Sequence, residues 1–175
     1  MPKARKMLSD WNAPYIQSLV KLIETQSKST LAWWAVNYAE QVMLPLWNKY
    51  YSDDQRPQNA LNAAREWLSG AIKLPQAKTA ILECHAAARE AGGNPVAQAA
   101  ARAIGQCAST IHSARHCIGL ALYGALAVAY DTFGTKAAWD QLEQCAAGEC
   151  RRMLDALRAV AVENEPNPAK INWKC

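Results

Sequence analysis

The chain has 175 residues and a formal net charge of +4, and 51% of its residues are apolar. This length fits a single domain, residues 1–175, that buries roughly two thirds of the surface of its unfolded chain. Positive side chains are concentrated at the very start, so we expect a basic tail over residues 1–9 and a nearly balanced remainder. Since no stripe of Lys and Arg follows, the charge pattern argues against a nucleic-acid partner.

The apolar stretches are too short for a membrane protein. The basic start runs into Ser9 and Asp10 instead of an apolar core, which argues against a signal peptide. The longest uncharged apolar run covers residues 117–130, whereas a membrane span needs about 20 residues. Cysteines in a chain without a signal peptide indicate free thiols. We therefore expect a cytoplasmic protein with no membrane segment.

Proline, glycine and capping residues divide the chain into six or seven predicted helices. Asp10 is placed to cap the first helix, and Pro45 should kink or end an aromatic second one that Ser29 or Thr30 caps. A third helix covers about residues 57–73, and the next begins at a proline and ends at a glycine pair. Strand formers never alternate over a useful length, so the composition predicts an all-α protein.

The alanine-rich segment from residue 95 to residue 130 is too long for one helix. It would measure roughly 54 Å, more than a domain of this size holds. We therefore expect a break between Gly105 and Thr110. The uncharged apolar run that follows is typical of a helix buried on all sides.

The end of the chain completes the predicted architecture. Apolar residues recur at helical spacing over about residues 135–162, and an irregular C-terminal tail follows over residues 163–175. The prediction is an all-α fold, a single compact bundle of six or seven helices around a central apolar helix near residues 110–130.

All three histidines of the chain fall in residues 75–130, a stretch that should be helical. On a helix wheel His112, His116 and Tyr123 lie within about 40° of one another, and His85 shares a face with Arg89. If these helices converge, a carboxylate from the loop before the third helix can balance one cation and orient a histidine. The predicted polar cluster consists of Asp54, Arg56, His85, Arg89, Arg102, His112, His116 and Tyr123.

The sequence is compatible with two roles for this cluster. It is either a buried hydrogen-bond network that fixes the packing of the alanine-rich helices, or a pocket whose cations hold an anion or an acidic partner residue. His112 and His116 have the i, i+4 spacing of zinc helices, but no glutamate stands between them, so we predict no metal. Since nucleophile and phosphate-loop motifs are missing from the sequence, we predict neither a catalytic residue nor a cofactor.

Residues 53–125 carry a set of motifs that resembles a known family. The set comprises Asp54-Gln55-Arg56-Pro57, Trp67 with Gly70, His85-Ala86-Ala87-Ala88-Arg89, Ala100-Ala101-Arg102 with Gly105, and Thr110-Ile111-His112 with His116, Gly119 and Tyr123. In these motifs the sequence is similar to a small all-helical bacterial family of immunity proteins from toxin–immunity systems. It departs from the family pattern at Gln106, where a histidine is expected after the glycine.

The resemblance implies a non-catalytic immunity protein that neutralises a bacterial toxin by binding it directly. Its partner is then a cognate protein toxin. Immunity proteins against nucleases are commonly acidic, so a mildly basic chain favours another toxin class or contact through a local acidic patch. The alternative is a small-molecule or anion-binding enzyme that uses a buried His/Arg cluster as its pocket. Whether the chain forms a homo-oligomer stays open.

Overall fold

The computed structural model describes residues 3–174, in which seven helices are joined by short turns and flanked by two terminal segments. No strand occurs in that part, and the all-α prediction is confirmed. The helices are α1 (Pro14–Ile23), α2 (residues 28–51), α3 (Arg56–Leu68), α4 (Leu74–Glu90), α5 (Pro95–Ser109), α6 (Ala114–Phe133) and α7 (Trp139–Val160).

Local capping chemistry sets where the first two helices begin. The carboxylate of Asp10 accepts a hydrogen bond from the N–H of Asn12 at 3.0 Å, so it closes a turn and α1 starts later, at Pro14. Ser27 caps α2, because its hydroxyl accepts a hydrogen bond from the N–H of Thr30 at 3.2 Å. Proline stands in the first turn of α1, α3, α4 and α5, where its missing N–H leaves no helical bond unmade.

Helix α2 continues through Pro45 instead of ending there. Residues Ala39–Met43 form a wide turn of π-helical geometry that ends two residues before the proline, and the regular helix resumes over Leu44–Tyr51. A wide turn of this kind accommodates the proline ring and its missing N–H, which would break an ordinary helix. A second wide turn, Leu120–Ala125, lies within α6.

The break between α5 and α6 falls at residues 110–113, just beyond the predicted position. The hydroxyl of Ser109 donates a hydrogen bond to the carbonyl oxygen of Gly105 at 2.7 Å, and the hydroxyl of Thr110 donates to that of Gln106 at 3.2 Å. Side-chain bonds to the carbonyl four residues earlier compete with the helical ladder and bend the end of a helix. The next helix then opens with the tight segment Ala114–Ile118.

The interior of the bundle is formed by α5 and α6 side by side. Alanine fills most of the buried positions of α5, which lets α2, α3, α4 and α6 pack closely against it. Helix α6 is 20 residues long and has the apolar character of a membrane span, but 61% of its most apolar window is buried inside the protein. That burial is the pattern of a core helix in a packed bundle.

Both ends of the described chain pack against the helices. The N–H of the buried Leu8 donates a hydrogen bond to the carbonyl oxygen of Leu122 in α6 at 2.8 Å. Near the other end, the side-chain amide of Gln26 bonds both the N–H and the carbonyl oxygen of Val162. The carbonyl oxygen of Gln26 also accepts a hydrogen bond from the N–H of Ala169 at 2.8 Å. These contacts hold the N-terminal segment against α6 and the C-terminal segment against the turn between α1 and α2.

Candidate functional site

His85 projects from α4 onto α5 at Gly105. A Cβ atom on residue 105 would lie 2.5 Å from Cε1 and 2.7 Å from Nδ1 of His85, closer than van der Waals contact allows. Glycine at this position therefore leaves the space that the half-buried imidazole ring occupies. The two helices reach this separation because alanine lines most of their shared face.

His112 and His116 lie beside each other where α6 begins. Their ring centroids are 5.4 Å apart, and the ring planes meet at 63°. Nδ1 of His116 is 2.9 Å from the side-chain oxygen of Gln106 on α5. Helix α6 approaches Gln106 closely at Gly119, where a Cβ atom would lie 2.4 Å from the Cβ of Gln106. Within residues 3–174, Nδ1 of His112 is buried and has no hydrogen-bond partner.

The environment of the three rings favours their neutral form at pH 7. Burial, followed by the charge of Arg89, lowers the pKa of His85, and burial is also the main cause that lowers the pKa of His112. The pKa of His116 falls to about 4, through burial first and the nearby positive charges second. Since an amide oxygen can only accept, neutral His116 donates its Nδ1 proton to Gln106.

The three histidines thus occupy one region of the bundle, close enough for the charge of one ring to affect the others. The charge of His85 contributes to the lowered pKa of both His112 and His116. Tyr123 lies further along α6, half-buried in its wide turn. This region combines one unpaired ring nitrogen with two rings that the neighbouring helix holds in place.

The arginines of the predicted cluster lie in different places. Arg89 is exposed on α4, one turn after His85. Arg102 is half-buried on α5 and lines a cavity that it shares with residues 3–6 of the N-terminal segment. The structure therefore keeps Arg89 near a histidine and places Arg102 beside the start of the chain.

Asp54 pairs with Arg56 and not with a histidine. Its carboxylate accepts hydrogen bonds from Nε of Arg56 at 3.0 Å and from Nη2 at 2.7 Å, and the guanidinium keeps the pKa of Asp54 below its usual value. Nη2 of Arg56 also donates to Glu90 at the end of α4, at 2.6 Å. Arg56 therefore links Asp54, in the loop before α3, to Glu90 at the end of α4. Glu90 was absent from the predicted set, because its position two helices later gave no sequence signal.

A second buried polar group was not predicted. The carboxylate of Glu149 on α7 is buried, with the residue 3% exposed, and it accepts a 2.5 Å hydrogen bond from the hydroxyl of Tyr38 in α2. Nη2 of Arg152 donates to the same carboxylate at 2.5 Å. Burial and this hydrogen bond raise the pKa of Tyr38. The i, i+3 spacing of Glu149 and Arg152 was a usable signal for their pairing.

A surface pocket reaches the histidine region at His116. Its volume is about 370 Å³, and two tryptophans form part of its wall, with the ring centroids of Trp11 and Trp173 5.2 Å apart. Gln106 and Arg115 line its polar side. The indole N–H of Trp173 donates a hydrogen bond to Glu24 at 2.8 Å, which fixes this wall. Neither Arg89 nor His112 lines this pocket.

The cysteines and acidic residues do not add metal ligands to this region. In residues 3–174, no three His, Cys, Asp or Glu side chains come together as a metal-binding group. The described cysteines are free thiols, and burial raises the pKa of Cys84 to about 12. A buried, protonated thiol behaves as a small apolar side chain.

Comparison with known families gives one match. A family model described as Imm-5 like putative immunity protein matches residues 21–156, from within α1 to within α7. The matched range contains the three histidines, Gly105 and Gly119. Among curated proteins and among solved structures, nothing matches the chain.

Proposed function

Because the chain belongs to the family of Imm-5 like immunity proteins, we propose that it binds a bacterial protein toxin directly in the cytoplasm and neutralises it without catalysis. The observation that carries this proposal is the match over residues 21–156, which includes most of the helical bundle.

Two exposed aromatic residues are candidates for contact with a toxin. Tyr50 is 41% exposed at the end of α2, and Phe133 is 44% exposed at the end of α6. The hydroxyl of Tyr50 donates a hydrogen bond to Asp131 at 3.3 Å, and Lys49 pairs with the same carboxylate at 2.7 Å, so the two helix ends are joined. Aromatic side chains are enriched in protein interfaces, and tyrosine is enriched among the residues that contribute most to the binding energy.

Co-expression with the toxin candidate encoded by the neighbouring gene tests the proposal. We expect cells that carry both proteins to grow and the purified pair to stay associated on a sizing column. Equal cell death with and without the protein, together with no association, would contradict it. Tyr50→Ala and Phe133→Ala should weaken the complex by about 1 kcal/mol or more each. Leu82→Ala, at a residue 66% exposed on α4, is the matched control for loss of an exposed apolar side chain.

Titration separates neutralisation by binding from neutralisation by catalysis. A binding mechanism requires that toxin activity falls in proportion to added protein and reaches its minimum near equal amounts of the two chains. An enzyme that modifies or degrades the toxin, or its product, acts when far less of it is present. Complete protection at a small fraction of the toxin concentration would therefore exclude the binding mechanism.

The alternative function, a small-molecule or anion-binding enzyme, is favoured by the pocket at His116. Its volume of about 370 Å³ is within the range of ligand sites, and it combines tryptophan walls with polar groups. A neutral His116 that donates from Nδ1 has Nε2 as a hydrogen-bond acceptor for a ligand. Loss of protection in a His116→Asn variant that still binds the toxin would support this alternative.

A further inference from the structure

The N-terminal segment is fixed against the bundle by three anchors. Leu8 is buried and bonded to α6, as described above. The hydroxyl of Tyr130 donates a hydrogen bond to the carbonyl oxygen of Arg5 at 2.9 Å. The guanidinium of Arg5 lies over the ring of Trp139, 3.6 Å from its centroid. A cation stacked on an indole and a buried leucine hold residues 5–8 in one position.

This fixed segment and the start of α5 line a partly open cavity of about 150 Å³. Lys3, Lys6 and Arg102 line it together with Arg5, and no acidic residue is among its lining residues. Gln98 lines it from the same face of α5 as Arg102, one turn earlier. At about 30 Å³ for each water in the liquid, the cavity has room for roughly five waters. This volume accommodates a tetrahedral oxyanion with part of its hydration shell.

No carboxylate of residues 3–174 lines this cavity to balance its positive charge. Arg102 is half-buried, and among residues 3–174 no carboxylate bonds or pairs with it. Arg56 and Arg152, by contrast, are each paired with a carboxylate. The cavity also lies beside the first turn of α5, where the helix dipole adds partial positive charge. A half-buried guanidinium without a counter-ion favours an anionic ligand, since burial of an unpaired charge costs free energy.

We propose that this cavity, formed by Lys3, Lys6, Gln98 and Arg102, is a binding site for a phosphate group. The planar guanidinium of Arg102 can donate two hydrogen bonds to one phosphate, and the lysines act as mobile point charges around it. The group is either free inorganic phosphate or the phosphate of a small monoester. This proposal does not depend on toxin binding, so its failure would leave the proposed immunity function unaffected.

Nuclear magnetic resonance titration of the full chain tests the site. The probes are inorganic phosphate and glycerol 2-phosphate at pH 7.5, with chloride in place of the probe at equal ionic strength as the reference. We expect saturable shifts of the backbone amides of residues 95–102 with both probes if phosphate alone suffices, or with the monoester alone if its organic part contributes. Absence of saturation by either probe up to about 10 mM, tenfold above a millimolar dissociation constant, would overturn the proposal.

Variants separate specific binding from general attraction of anions. Arg102→Gln should weaken phosphate binding about tenfold or more, because it removes charge-assisted hydrogen bonds. Lys6→Gln changes an exposed residue, so it tests the site even if the Arg102 variant folds poorly. Arg151→Gln removes an exposed arginine on α7 and is the control for the same change of net charge. Equal weakening in the control and in both cavity variants would show that only the overall charge attracts phosphate, and the site would be rejected.

Discussion

Gly119 is the position at which a single methyl group should disturb the contact between α5 and α6 most. A Cβ atom there would lie 2.4 Å from the Cβ and 2.6 Å from the Cγ of Gln106. The nearer atom is attached directly to the backbone of α5, so a change of side-chain rotamer cannot move it away. The helices themselves must separate, and the hydrogen bond between Gln106 and His116 must shift with them.

The expected loss follows from two opposing effects. Overpacking a filled core costs about 1–3 kcal/mol, and a contact with an atom fixed to the backbone falls at the upper end of that range. Replacing glycine by alanine within a helix recovers about 1 kcal/mol. Gly119→Ala should therefore lower the free energy of unfolding by about 2 kcal/mol. Gly148→Ala in α7 is the matched control, because no atom lies within 4 Å of a Cβ atom there, and it should raise stability by about 0.5–1 kcal/mol.

Urea unfolding followed by circular dichroism at 222 nm measures both variants. A double-mutant cycle with Gln106→Gly isolates the contact, since glycine at residue 106 removes the crowded Cβ atom. We expect the two changes to be less than additive by about 1 kcal/mol or more. If Gly119→Ala were as stable as the unchanged protein, the close packing of α5 on α6 through this residue would be refuted.

Three further predictions concern groups that only the packed structure explains. Because the pKa of His116 falls from 6.5 to about 4 on folding, the neutral ring contributes stability that is fully present above about pH 6.5 and is lost as the pH falls toward 4. After allowance for solvent screening of this half-exposed ring, that loss should be about 1–2 kcal/mol. It should disappear in His116→Asn, which a comparison of urea midpoints at pH 7.5 and 4.5 would show. Glu149→Ala leaves the hydroxyl of Tyr38 buried without its acceptor and should lower the free energy of unfolding by about 2–3 kcal/mol. The control Asp155→Ala, in an exposed ion pair, should change it by less than about 1 kcal/mol. Equal losses in the two variants would refute this account of Glu149. Gln26→Ala should release the segment after α7, which limited proteolysis would show as faster cleavage within residues 161–174, and unchanged cleavage would mean that the amide does not hold the segment.

The amino-acid sequence determined the class of fold and most helix positions. Prolines 14, 57, 75 and 95 each stand in the first turn of a helix, because a residue without an N–H is tolerated there and disfavoured further on. The family was also recognisable from short motifs around the histidines, which the match over residues 21–156 confirms. These features are local, since capping, backbone conformation and helical periodicity each depend on a few neighbouring residues.

Only the tertiary structure decided which polar groups meet. Asp54 pairs with Arg56 and through it with Glu90, and Tyr38 reaches Glu149 across 111 positions of sequence. Arg102 faces the N-terminal segment, although helical spacing alone also allowed it to face the histidines. Such pairings depend on the rotation and separation of whole helices. In a bundle lined with alanine, neighbouring helix faces are nearly alike, so the sequence pattern leaves that rotation undetermined and the sum of all contacts fixes it.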